Sequence, residues 1–180
     1  LLAISKGKAM RHTSDGTAID HVAIAILRDG DDVVLVQQQG ANDAQPYWVL
    51  PGGLVEAGEL ITDALICKAW EETGAQVSTI NQLACVAQID RPAHRSQTVV
   101  FAFEVKAWQG PLGSHDPDGE VLDVELVPFN AAIRRLEGNG GWLGIQTPLL
   151  TYLRGDVPAG ACWCCREDGA GQQLVWRSPA

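Results

Sequence analysis

The stretch from Gly53 to Ala75 limits what this chain can fold into more than any other part of it. It opens with a glycine-rich loop, Gly53-Leu54-Val55-Glu56-Ala57-Gly58-Glu59, that carries two carboxylates. A helical run follows and ends in adjacent acids, Glu71 and Glu72, with Gly74 just beyond as a stop signal. At about 100° per residue, positions 68, 71 and 72 share one helix face. A loop feeding a helix with acids on one face is a way to gather oxygen ligands for a hard divalent cation. An ordinary acidic helix end is the plain alternative. The joint spacing of Gly53, Glu59 and Gly74 to the acid pair argues against it.

The flanks supply strands. His21 to Leu27 is β-branched and apolar and reads as a buried strand. Asp29 to Asp32 turns the chain into Val33 to Gln38, so the pair reads as a hairpin. After the loop Gly40 to Pro46, Tyr47 to Leu50 is a short strand that delivers the chain to Pro51-Gly52-Gly53. Downstream, Thr79 to Asp90 and Thr98 to Trp108 read as two strands joined by the basic loop Arg91 to Arg95. The loop Gly110 to Gly119 leads into a half-exposed strand, Val121 to Val127. Asn130 to Leu136 reads as a helix ended by Gly138 to Gly141, and Thr147 to Leu153 as another, with Pro148 in its first turn. Ala161 to Glu167 and Gln172 to Arg177 form the arms of a β-hairpin, with Trp163 and Trp176 available for cross-strand contact.

This order of elements predicts an α/β sandwich with a mixed sheet and a C-terminal β-hairpin. Residues 1–19 read as an N-terminal arm, 20–157 as the main domain and 158–180 as the hairpin appendage. With 180 residues, 46% of them hydrophobic and 19% charged, the chain is long and apolar enough for one cored domain. The net charge of −9 disfavours non-specific nucleic-acid binding, which needs basic surface. No apolar run approaches the roughly 18 residues of a membrane span. The opening Leu1-Leu2-Ala3-Ile4 is too short for a secretory apolar region. Five cysteines, an odd number, argue against a complete disulfide framework, so a reducing cytoplasm is the expected setting. The arm and the hairpin are the segments through which a homodimer would form.

The Gly53 to Ala75 stretch resembles the Nudix box, the signature of the Nudix hydrolase family. Gly53, Glu59, Glu71, Glu72, Gly74 and Ala75 fall at the required spacings, whereas the Arg-Glu pair of the pattern falls on Cys67 and Lys68. The resemblance implies a Nudix-like α/β/α sandwich from about residue 20 to 155. It implies Mg²⁺ or Mn²⁺ as cofactor, held by Glu71 and Glu72 with the carbonyl of Gly52. It implies hydrolysis of a nucleoside diphosphate linked to another moiety, by attack of water on one phosphorus. Gly53, Glu59 and Gly74 are the structural residues of the box. Glu56 is a candidate extra metal ligand, and Glu72 and Glu120 are the candidates for catalytic carboxylates. Lys68 stands where the family places a metal-binding carboxylate. A catalytically degenerate nucleotide-binding or regulatory module is therefore the competing expectation.

Arg91 and Arg95 are candidate phosphate or base contacts, and Trp48 a candidate for stacking on a base. A solvated loop and a core position are the plain readings of the same residues. Gly53 to Gly58 is not a phosphate loop, because Glu59-Leu60 replaces the required Lys-Ser/Thr. Cys162, Cys164 and Cys165 lack the C-x2-C spacing and second ligand pair of a zinc site. Cys67 reads as a small space-filling residue, and His12 as a solvated one. ADP-ribose, dinucleoside polyphosphates, oxidised nucleotides and coenzyme diphosphates all stay open as substrates.

Overall fold

A computed structural model describes residues 11–12, 16–41, 43–138 and 143–179. The remainder, including most of the N-terminal arm and part of the glycine stop after the first C-terminal helix, lies outside the described residues. The strands are β1 (Arg11–His12), β2 (Ala18–Asp29), β3 (Asp32–Gln38), β4 (Tyr47–Val49), β5 (Gly52–Leu54), β6 (Gln76–Arg91), β7 (Ser96–Gln109), β8 (Val121–Pro128), β9 (Ala161–Asp168) and β10 (Gly171–Arg177). The helices are α1 (Ile61–Thr73), α2 (Phe129–Gly138) and α3 (Leu143–Leu153). The strand order is β10-β9-β6-β7-β2-β3-β4, with β8 on β3 and both β1 and β5 on β2. The sheet is mixed, as expected, because β2 runs parallel to β7 and β9 runs parallel to β6.

β2 organises the rest. Its side chains alternate between two buried clusters, as the two-residue period of a strand requires. Val22, Ile24 and Ile26 face the cluster containing Ala132, Leu136, Leu149 and Leu150 of α2 and α3. Ala23, Ala25 and Leu27 face the cluster containing Ala64, Leu65 and Ala69 of α1. Burial on both faces explains the near-continuous apolar run.

β2 pairs with β3 only at the hairpin end, Arg28 with Val33 and Asp29 with Asp32. The turn between them needs Gly30, whose φ is +57°. Below that end the two strands part, and β5 occupies the opened edge of β2, with Gly52 opposite Ile24 and Leu54 opposite Val22. This divergence brings the glycine pair up against α1.

Two expectations need correction. α3 begins at Leu143, so Pro148 lies in the helix interior and not in its first turn. Pro148 is fully buried, and Ile145, Leu149, Leu150 and Leu153 are buried on the same helix. Burial of this apolar run outweighs the lost hydrogen bond to Gly144. The tail hairpin forms where expected, but its tryptophans do not meet. Trp163 lies opposite Arg177 and Trp176 opposite Cys164, which puts the two rings on opposite faces. Trp163 is 2% exposed and belongs to the core, while Trp176 is 53% exposed. β9 is thus an integral strand of the main sheet.

Candidate active site

α1 ends where the sequence says it should. Gly74 adopts the left-handed conformation at φ +75° and donates its N–H to the Trp70 carbonyl at 2.8 Å. A Cβ at Gly74 would stand 2.7 Å from the Pro111 carbonyl oxygen, so only glycine lets the 110–119 loop close over the helix end. That loop is tied down by His115, whose N–H donates to the Glu71 carbonyl at 2.7 Å and whose ring stacks on Trp70 at 4.9 Å.

The last turn of α1 presents its acids to β5. The Gly52 N–H donates to Oε2 of Glu72 at 2.8 Å. A Cβ at Gly52 would lie 2.3 Å from the Ala23 carbonyl oxygen, so this approach of β5 to β2 also requires glycine. Burial pushes the Glu72 carboxyl up to about 8, although the Gly52 N–H and Lys68 pull the other way. The Lys68 ammonium stands 2.5 Å from Oε2 of Glu71, with both side chains about four-fifths buried (19% and 20% exposed). Burial alone would lower its pKa, but Glu71 overrides that and leaves it above its ordinary value. The stem of Lys68 lies along β5, where a Cβ on Gly53 would come within 3.0 Å of Cδ. The Cys67 thiol donates to Oε1 of Glu71 at 3.4 Å. Cys67 is exposed, but partial desolvation and Glu71 both raise its pKa, so the thiol is not activated as a nucleophile.

The box loop braces itself. The Glu56 N–H donates to Oε2 of Glu59 at 2.8 Å, and the Glu59 N–H to the Glu56 carbonyl at 3.1 Å. Glu59 thereby gains a backbone donor in place of the missing Arg. Glu56 itself is exposed at the mouth of the loop.

Asp116 is a residue that the sequence reading passed over. Its carboxylate accepts the N–H groups of Asp118, Glu120 and Val121 at 3.0, 2.7 and 3.0 Å. It also acts on Glu72, raising its pKa. An Asp whose side chain caps a turn two residues on is a readable signal, and Asp116-Pro117-Asp118-Gly119 carries it. Glu120 is half-buried, and its pKa is raised by burial and then by Asp118, Asp116 and Asp43. Its carbonyl accepts from the Gln39 N–H at 2.9 Å.

The outlying candidates are engaged elsewhere. Trp48 packs against the α2 and α3 cluster under the Arg135 guanidinium, 4.4 Å from its ring centre. Arg91 pairs with Glu167 at 3.4 Å and donates to Thr98 at 3.1 Å. Arg95 is exposed and left-handed at φ +48°, and its carbonyl accepts from Ala18. Ala18 is six residues along β2 from Ile24, the partner of Gly52, or roughly 20 Å of strand. The structure therefore gathers Gly52, Gly53, Lys68, Glu71 and Glu72 at one point, with the Glu56–Glu59 loop beside it. Arg91 and Arg95 lie further along the sheet.

The NUDIX domain family matches residues 19–143 of this chain. The chain belongs to the Nudix hydrolase family. It is 27% identical over 111 residues to the ADP-ribose pyrophosphatase of Methanocaldococcus jannaschii, covering 60% of this chain and 66% of that one. It is 33% identical over 110 residues to a Caenorhabditis elegans protein bearing the nudix hydrolase name, covering 59% of this chain but 28% of that one. Its fold matches the MutT protein of Bacillus halodurans with a TM-score of 0.65, at 21% identity, over 88% of this chain and 96% of that one.

Nudix hydrolases generally use a divalent metal. The side chains here, as arranged, do not fit one as a resident ion. Both oxygens of Glu71 have donors, Lys68 and Cys67. Glu72 is held against a backbone N–H. Among the described residues, no three acidic, His or Cys side chains are disposed to share a cation. No helix among the described residues is long and apolar enough to cross a membrane.

Proposed function

We propose that this chain is a Nudix pyrophosphohydrolase that cleaves the phosphoanhydride of a nucleoside diphosphate linked to another moiety. The observation that carries the reading is the junction of α1 with β5, where Glu72 meets the Gly52 N–H beside Glu71 and Lys68. The Gly52-Gly53 pair lets β5 press against β2 and the Lys68 stem, which sets the acids of α1 beside the strand. Lys68 supplies positive charge for phosphate oxygens. Glu72, with a pKa near 8, can hold or release a proton close to neutral pH. The Asp116–Glu120 turn forms a second acidic edge, and Glu120 is the further proton acceptor we assign to it.

The relative named for ADP-ribose supports testing that compound first. Five free cysteines suit a reducing cytoplasm, where such nucleotides are found. The test is chromatography of products from ADP-ribose, a dinucleoside polyphosphate and a coenzyme diphosphate, with Mg²⁺ or Mn²⁺ in one arm and EDTA in the other. Release of a nucleoside monophosphate supports the reading. Intact substrates in every arm overturn it.

The Lys68–Glu71 pair favours a second reading, a module that binds the nucleotide without cleaving it. Saturable nucleotide binding with no turnover would select it.

A further inference from the structure

We infer that Lys68 is the site's own tethered cation. It compensates Glu71 where the Nudix box would place a divalent ion, and the pair keeps such an ion out. This rests on the reading of the α1–β5 junction as the diphosphate site.

Three observations converge on it. The ammonium is 2.5 Å from Oε2 of Glu71, a direct contact that leaves no room for an ion between them. The other oxygen of Glu71 is met by the Cys67 thiol, so the carboxylate is held from two sides by the two residues that depart from the box. The stem of Lys68 is laid along Gly53, a position where a Cβ would crowd Cδ and Cε at 3.0 and 3.2 Å. The pair is thus built into the α1–β5 junction and is not a loose surface contact.

With Lys68 on Glu71, a divalent ion meets a carboxylate whose charge is already compensated. The ammonium, and not an ion, is then the positive charge that the junction presents to a diphosphate.

The experiment is Mn²⁺ titration followed by electron paramagnetic resonance, using the metal alone. Wild type should take up Mn²⁺ at least ten-fold more weakly than Lys68→Glu or Lys68→Gln. Lys68→Arg should keep the exclusion, because it keeps the charge. Equal uptake by wild type and by both the uncharged and the acidic variants would overturn the inference. Melting curves identify any variant that fails to fold, and the remaining variants then decide. None of these readouts requires turnover, so a failed exclusion and a failed hydrolysis assay are separate results.

Discussion

The backbone N–H of Gly52 donates to the Glu72 carboxyl across 2.8 Å, so the short strand β5 and the last turn of α1 share one acid. Burial raises that acid to about 8 from its ordinary 4.5. Between those values the unfolded chain releases a proton that the folded chain keeps. The folded state then binds more protons, so stability falls as pH rises through this window. Urea unfolding in EDTA should show a midpoint that drops between about pH 5 and pH 8. Glu72→Gln should remove most of that drop, because it cannot ionise. An unchanged drop in the variant would contradict the assignment.

Gly52 is also a packing requirement. A Cβ there would lie 2.3 Å from the Ala23 carbonyl oxygen and 2.8 Å from the Ile24 Cα, both backbone atoms that cannot turn aside. Gly52→Ala should cost about 1–3 kcal/mol or more in chemical unfolding. Gly58→Ala meets nothing within 4 Å and is disfavoured only by its φ of +89°, so it should cost about 1 kcal/mol. Equal losses would mean that β5 does not sit this close to β2.

The tail makes a third prediction. Trp163 is 2% exposed among the core side chains, whereas Trp176 is 53% exposed on the edge strand β10. Trp163→Ala should cost about 3–5 kcal/mol in the same unfolding assay. Trp176→Ala should fall within about 0.5 kcal/mol, as surface changes usually do. Similar small effects from both would make the hairpin a true appendage.

Much of this was legible in the residues. The apolar, β-branched run His21 to Leu27, the Gly30 turn and the Gly74 stop are all readable from local chemistry, and each element stands where its residues put it. Element ends were less legible. β6 and β7 run several residues beyond their apolar cores because strand pairing continues through polar residues such as Gln76 and Gln109. Pro148 misled for a related reason, since a helix-start signal yielded to burial of its neighbours. At the site, spacing identified Glu71 and Glu72, but it could not show which partners they would take. The Lys68 contact follows from its i,i+3 position. Contacts such as Gly52 with Glu72, or Asp116 acting on Glu72, arise between segments far apart in the chain and become visible only once β2 and β3 diverge.

The two departures from the box give a fourth prediction. Changing Cys67→Arg and Lys68→Glu together takes the Lys68 ammonium and the Cys67 thiol off Glu71 and restores the family pattern. Phosphoanhydride turnover with Mg²⁺ should rise roughly ten-fold or more. The single change Lys68→Glu should account for most of the gain, because an ion held by the restored carboxylate would take over the charge that Lys68 gives the phosphate. Turnover that falls or stays level would count against Lys68 as the block to that ion.

The most direct measurement is the cleavage rate of the best substrate by wild type and by the Glu71→Gln, Glu72→Gln double variant, followed by ³¹P NMR with melting curves to confirm folding. The account predicts cleavage by wild type and a loss of at least about a hundred-fold in the folded variant. Cleavage at the same rate by both proteins would show that hydrolysis does not depend on the acids where α1 meets β5.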